Sequence, residues 1–167
     1  MSISRLIRRR SRLRIRRELW NELIAELARR GRGRRESGAF LLADADGNRR
    51  RVVRFVYLDD LDPTCLNGAI SFRGAAYGKL WALCRRERLT VVADVHTHPG
   101  RWVDQSPTDS ANPMIAEAGH VALIVPDFTQ GAVDSDEVGV HLYHGEHRWT
   151  SLLGGEAKTF LYIGRWA

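Results

Sequence analysis

From residue 18 to residue 30 the apolar side chains recur at helical spacing. Leu19, Leu23 and Leu27 lie at i, i+4 and i+8, and Trp20 and Ile24 widen the stripe. The spacing predicts an amphipathic helix over 18–30. Arg29 and Arg30 suit the negative end of its dipole, and Gly31 and Gly33 offer a left-handed stop. Just before it, residues 12–16 alternate arginine with Leu13 and Ile15, the period of a short strand. Residues 39–43 are a short apolar run, Asp46-Gly47 is a turn signal, and 51–58 return with β-branched residues, which predicts a hairpin. Loop composition over 59–68 leads to a second helical pattern over 75–88, with Leu80, Trp81, Leu83 and Cys84 on its apolar face. Further strands are expected over 91–95, 121–125 and 138–143, a helix over 106–118, and a last apolar stretch over 160–163. Helices that flank and interrupt strands without a regular βαβ repeat predict an α+β fold of α/β/α layers.

Composition narrows the class. The 167 residues suffice for one domain with a substantial core and fall short of two ordinary ones. Hydrophobic residues at 44% and charged residues at 28% fit a globular chain rather than a disordered one. No apolar run nears the roughly eighteen residues that a membrane helix needs. The arginine-rich start lacks the apolar stretch and cleavage site of a secretory signal, so the expected compartment is the cytoplasm, with no membrane partner. Cys65 and Cys84 are too few for a disulfide framework and are expected as reduced thiols. The net charge of +6 is uneven: residues 1–35 hold thirteen arginines against Glu18, Glu22 and Glu26, while the remaining residues are mildly acidic. The expected organisation is a basic extension or first strand over 1–17 and a single domain over 18–167. The acidic body is not expected to bind nucleic acid.

The chemistry gathers behind the strand 91–95. His96-Thr97-His98-Pro99 is followed by Ser106 and Asp109, the series H-x-H-x7-S-x2-D. Histidines at i and i+2 of an extended segment share a direction, so both rings can reach one ion, and Asp109 on the next helix can supply a third ligand. Two nitrogens and one oxygen leave a tetrahedral Zn2+ one position for water, whose pKa would fall to about 7. Such a water needs a base. Glu36 is the candidate, a lone acid at the mouth of the apolar strand 39–43 with no packing purpose there. The Ser106 hydroxyl can donate to the oxygen of a tetrahedral intermediate.

An upstream glutamate followed by this series is similar to the signature of the JAMM (MPN+, or JAB) zinc metalloprotease family, and the wording of residues 36–128 resembles its prokaryotic JAB branch. The resemblance implies an MPN/JAB, cytidine-deaminase-like mixed sheet flanked by helices. It implies one catalytic zinc held by His96, His98 and Asp109, with Glu36 as acid/base and Ser106 as oxyanion stabiliser. The reaction implied is hydrolysis behind the C-terminal tail of a ubiquitin-like protein, whose extended tail adds a strand beside the metal. Gly100 and Trp102 then flank the groove, Trp102 as a wall or lid. E1-like and E2-like proteins of a conjugation system, including systems of antiphage defence, are the partners implied. An alternative within the same chemistry is release of an adduct from a sulfur-carrier protein. An alternative of another class is a binding module that uses the basic N-terminus.

Other residues receive plainer readings. His141, His144 and His147 are expected to be solvated, because their spacing scatters rings over both faces of a strand. His120 is expected as a turn residue. Asp94 either orients an imidazole or ends a sheet face. Cys65 has no matched base and is not expected to be a nucleophile.

Overall fold

The computed structural model describes residues 13–67, 69–72, 74–165 and 167. Its elements run β1 (Leu13–Arg16), α1 (Arg17–Gly31), β2 (Gly38–Asp44), β3 (Val52–Tyr57), α2 (Leu58–Leu61), β4 (Leu66–Asn67), β5 (Ala69–Ile70) and α3 (Gly74–Glu87). They continue through β6 (Leu89–Thr97), α4 (Pro107–Ala111), β7 (Val121–Val125), β8 (Gly139–Tyr143), β9 (Trp149–Leu152), α5 (Ala157–Phe160) and β10 (Leu161–Gly164). Residues 1–12 of the basic extension lie outside the described residues.

Strands order as β3-β2-β6-β7-β8-β9 in one mixed sheet, in which only β6 and β7 run parallel. β2 reads as a continuous apolar run because it is buried on both faces. Ala39 and Leu41 join the core beneath α1, whereas Phe40 and Leu42 join the core beneath α3. α1 buries Trp20, Leu23, Ile24 and Leu27, each contributing about 1.5–3 kcal/mol if fully transferred from water. The Trp20 indole N–H donates to the Val133 carbonyl at 2.7 Å, so its one polar atom is satisfied inside the core. α3 buries Ala76, Leu80 and Cys84 against the other face. Helices on both faces of a mixed sheet make the layered α+β arrangement that the pattern predicts. β1 pairs in parallel with β10, joining the two ends of the described chain.

Four expectations need correction. The helix expected over 106–118 stops at Ala111, with Asn112 at φ −128° and Pro113 next. A residue before proline is pushed out of the helical region, and the proline has no N–H to donate. The left-handed stop of α1 is Arg32 at φ 54°, whose N–H reaches the Ala28 carbonyl; Gly31 is still helical. The segment expected as a loop folds into α2 and the small β4–β5 hairpin. Trp81, assigned to the apolar face of its helix, is 38% exposed.

Candidate metal centre

β6 extends two residues further than its β-branched run suggests, and its alternation sets up the site. Ala93 and Val95 point into the core beneath α1, so Asp94 and His96 point to the opposite face. His98 follows just beyond the strand, where its N–H donates to the Val125 carbonyl at 2.9 Å. Both rings are buried, His96 at 9% and His98 at 4% exposure. Asp109 approaches from α4, whose first turn is built as a reciprocal cap. The Asp109 N–H donates to Ser106 Oγ at 3.1 Å, and the Ser106 N–H donates to Asp109 Oδ2 at 2.8 Å.

These elements bring three donor groups together, two imidazoles and one carboxylate. His96 Nε2 and His98 Nε2 are 3.2 Å apart, His96 Nε2 lies 3.6 Å from Asp109 Oδ1, and His98 Nε2 lies 3.4 Å from Asp109 Oδ2. Donors on a tetrahedral zinc ion with bonds near 2.0–2.1 Å stand about 3.3 Å from one another. The triangle fits a first-row divalent ion, and the group can hold a metal. Its chemistry fits as well. His98 Nδ1 lies 3.0 Å from the Trp102 carbonyl, which can only accept, so the ring's proton sits on Nδ1 and the Nε2 lone pair faces the triangle. Burial pushes the Asp109 carboxyl up, but the adjoining His96 and His98 rings and Ser106 overcome it and hold the group well below the ordinary carboxylate range. Burial likewise opposes protonation of His98, while Asp109 and the Trp102 carbonyl raise its pKa.

Glu36 and Ser106 line the same cleft of about 180 Å³ as His96 and Asp109, together with Leu58, Ile70 and Trp149. Glu36 owes its place to its neighbour. The Ser37 N–H donates to Thr97 Oγ1 at 3.0 Å, the Thr97 N–H donates to the Ser37 carbonyl at 3.0 Å, and Ser37 Oγ donates to the Leu27 carbonyl at 2.8 Å. Gly38 is required by close approach, since a Cβ there would meet the Val95 carbonyl at 2.7 Å and Leu58 Cδ1 at 2.8 Å. Trp102 is 57% exposed and stacks on the His98 ring at 5.5 Å, a wall over that ligand rather than part of the cleft lining. Gly100 also stands outside the cleft, and its carbonyl accepts the Asp127 N–H at 3.1 Å.

Two buried histidines depart from the sequence reading. His141 is fully buried rather than solvated. Its Nε2 donates to the Val103 carbonyl at 3.0 Å, and its Nδ1 lies 2.9 Å from Ser151 Oγ, which is itself 3.2 Å from Asp104 Oδ1. Burial lowers its pKa and keeps the ring neutral. A Cβ at Gly139 would collide with the same Val103 carbonyl, so glycine there lets the loop between His98 and Ser106 lie close on β8, where the His141 hydrogen bond holds it. His120 closes the turn expected there, its N–H donating to the Glu117 carbonyl at 3.0 Å, but its ring has a further role: Nε2 lies 2.6 Å from Asp94 Oδ1, and both side chains are buried. Asp94 therefore orients an imidazole, though not one of the ligand pair. Neither role was visible in sequence spacing, because the partners come from other elements: Asp94 from β6, the Val103 carbonyl from the loop before α4 and Ser151 from β9. For His141 the one signal was a histidine inside an apolar strand.

Behind β7, Asp127, Phe128 and Thr129 take three successive positive φ values of 53°, 49° and 58°. Each costs about 1–2 kcal/mol for an L-residue. The turn donates the Phe128 N–H to the His98 carbonyl at 2.9 Å, so it braces the ligand from below.

Fold and site together define a mixed-sheet α+β protein whose His-His-Asp group is able to hold a metal ion. No family model matches the chain. Among solved structures it is similar to a protein from Desulfitobacterium hafniense determined in solution, with TM-score 0.61 and 18% identity over 90% of this chain and 91% of that one. A solution structure from Salinibacter ruber matches with TM-score 0.53 and 17% identity over 82% and 86% of the two chains. A JAB1/MPN domain protein from Archaeoglobus fulgidus aligns with TM-score 0.49 and 15% identity over 92% and 98%. At these identities the likeness is one of fold.

Proposed function

We propose that this chain is a zinc-dependent hydrolase of the JAMM type, acting in the cytoplasm on the peptide or isopeptide bond behind the C-terminal tail of a ubiquitin-like protein. The observation that supports this most is the convergence of His96 Nε2, His98 Nε2 and the Asp109 carboxylate within 3.2–3.6 Å of one another, beside a cleft shared with Glu36 and Ser106. When bound by these three side chains, the ion supplies Lewis-acid chemistry, bringing the pKa of water to about 7 and polarising a carbonyl. Glu36 takes the proton of the attacking water and returns it to the departing amine. Ser106 Oγ accepts the Asp109 N–H and keeps its own proton to donate to the oxygen of the scissile carbonyl. A narrow cleft walled by Leu58 and Ile70 favours small residues at the end of the tail, and Ile70 belongs to the short β5 strand along which an extended tail can pair. E1-like and E2-like proteins of the same conjugation system are the partners in this reading.

The test combines metal content with hydrolysis of a ubiquitin-like protein fused to a short peptide, followed by product mass. Wild type and Glu36→Gln should each carry one zinc per chain, with turnover lowered about 10²- to 10⁴-fold in the variant. His98→Ala and Asp109→Ala should lose both metal and turnover. Hydrolysis that persists in metal-stripped Glu36→Gln overturns the proposal.

A further inference from the structure

The hydrolase reading leaves unused a cationic surface at the other end of β2. β1 runs beside the turn that joins β2 to β3. The Arg14 N–H donates to the Arg50 carbonyl at 2.8 Å, and Arg14 forms a parallel bridge with Arg51. Arg14 of β1 therefore stands beside Arg50 and Arg51 of that turn. Two arginine-rich stretches far apart in sequence meet in one place.

Arg14, Asn48, Arg51 and Arg165 line a depression of about 310 Å³. Arg49 and Arg50 belong to a neighbouring groove of about 490 Å³, which Trp81 and Phe160 also line and in which Glu117 is the one carboxylate. Trp81 keeps 38% of its surface exposed there. Of the other acids nearby, Asp46 holds Arg88, and Glu87 holds Arg54 and Arg86. Among the described residues, Arg16, Arg50, Arg51 and Arg165 have no carboxylate partner within ion-pair distance.

We propose that this surface binds single-stranded nucleic acid, the arginines taking phosphates and Trp81 stacking on a base. A guanidinium fork matches a phosphate bidentately, and an array of them beside one exposed aromatic is the combination that holds a strand with little sequence preference. The surface is independent of the hydrolase reading. Gly38 at one end of β2 pairs with His96, and Asp44 at the other end pairs with Leu89, so about 20 Å of strand separates the two regions.

The experiment is fluorescence anisotropy of the full chain with a labelled twenty-nucleotide single-stranded RNA of mixed sequence, between about 50 and 200 mM salt. Wild type should bind with a steep salt dependence. Arg50→Ala/Arg51→Ala should reduce the slope of log K against log salt by about 1.4, two phosphate contacts at about 0.7 each for a single strand. Trp81→Ala should weaken binding about tenfold and leave the slope unchanged, with Trp81→Phe restoring part of the affinity. Arg148→Ala, on the β8–β9 turn, should bind as wild type. Absence of binding at 50 mM salt, or an arginine double variant with wild-type slope, overturns the proposal. So does displacement of the RNA by polyglutamate at equal charge, combined with no effect of either Trp81 variant, which would mark an acidic-protein surface instead.

Discussion

A carbonyl oxygen can only accept, so the carbonyls of Trp102 and Val103 dictate where two histidines keep their protons. His98 places its proton on Nδ1 and turns Nε2 toward Asp109; His141 places its proton on Nε2 and holds the loop that carries Trp102. Loss of a group that orients a metal ligand typically costs about 10- to 100-fold in metal affinity. His141→Ala should weaken zinc binding by that factor, measured by competition with a chelating dye. His141→Gln, which can still donate to Val103, should recover part of it. Unchanged affinity in the alanine variant would reduce His141 to a space-filling role. Ser106 carries two roles that substitution can separate. Alanine removes both the helix cap and the proposed donor, whereas glycine costs the cap only a few tenths of a kcal/mol. Both Ser106→Ala and Ser106→Gly should lower turnover about 10²- to 10³-fold with metal retained, and the alanine variant alone should melt measurably earlier. Normal turnover in Ser106→Gly would leave Ser106 with capping alone.

Among the elements, α1 shows how a sequence pattern and a tertiary contact share one helix. Its buried stripe was readable from spacing, but of the network on its polar face spacing announces only the pairs of Glu26 with Arg29 and Arg30. Glu26 accepts from Arg29 and Arg30, and Arg30 reaches Asp59 and Asp60 at the start of α2. Arg29, seconded by Arg30 and opposed by partial burial, holds the Glu26 carboxyl at about 2, down from 4.5. A group with a depressed folded pKa stabilises the fold above its unfolded pKa. That contribution is lost as the pH falls from 4.5 toward about 2. Glu26→Gln should therefore melt earlier than wild type at pH 7, and the difference should shrink steadily below pH 4.5 in melting curves followed by circular dichroism. A difference that stays constant down to pH 2 would mean that the network is screened by solvent.

For the molecule as a whole, the candidate metal centre ties β6 to α4, two elements joined otherwise by a long loop. An ion bound only by the folded chain stabilises it by RT ln(1 + [L]/Kd), about 4 kcal/mol at a thousandfold excess over Kd. Chelation should lower the melting temperature of wild type and leave that of His98→Ala/Asp109→Ala unchanged. Equal melting of chelated and zinc-loaded wild type would remove the metal from the folded state.

Apolar patterning by itself determined α1, the β2–β3 hairpin, α3, β7 and the layered class: α1 and α3 by side chains repeating at helical pitch, β2 and β7 by short apolar runs of strand length. The grouping of His96, His98 and Asp109 was legible too, since they fall within one short stretch, and the structure sets Ser106 and Glu36 in the cleft beside them. Tertiary structure alone decided the rest. The buried roles of His120 and His141 came from partners on other elements, and β1 met the β2–β3 turn across the fold, whereas the stop at Pro113 was a local signal that the continuing apolar pattern outweighed in the reading. Hydrogen-bond partners and charge neighbours are properties of distance, and distance between remote residues exists only once the sheet has formed.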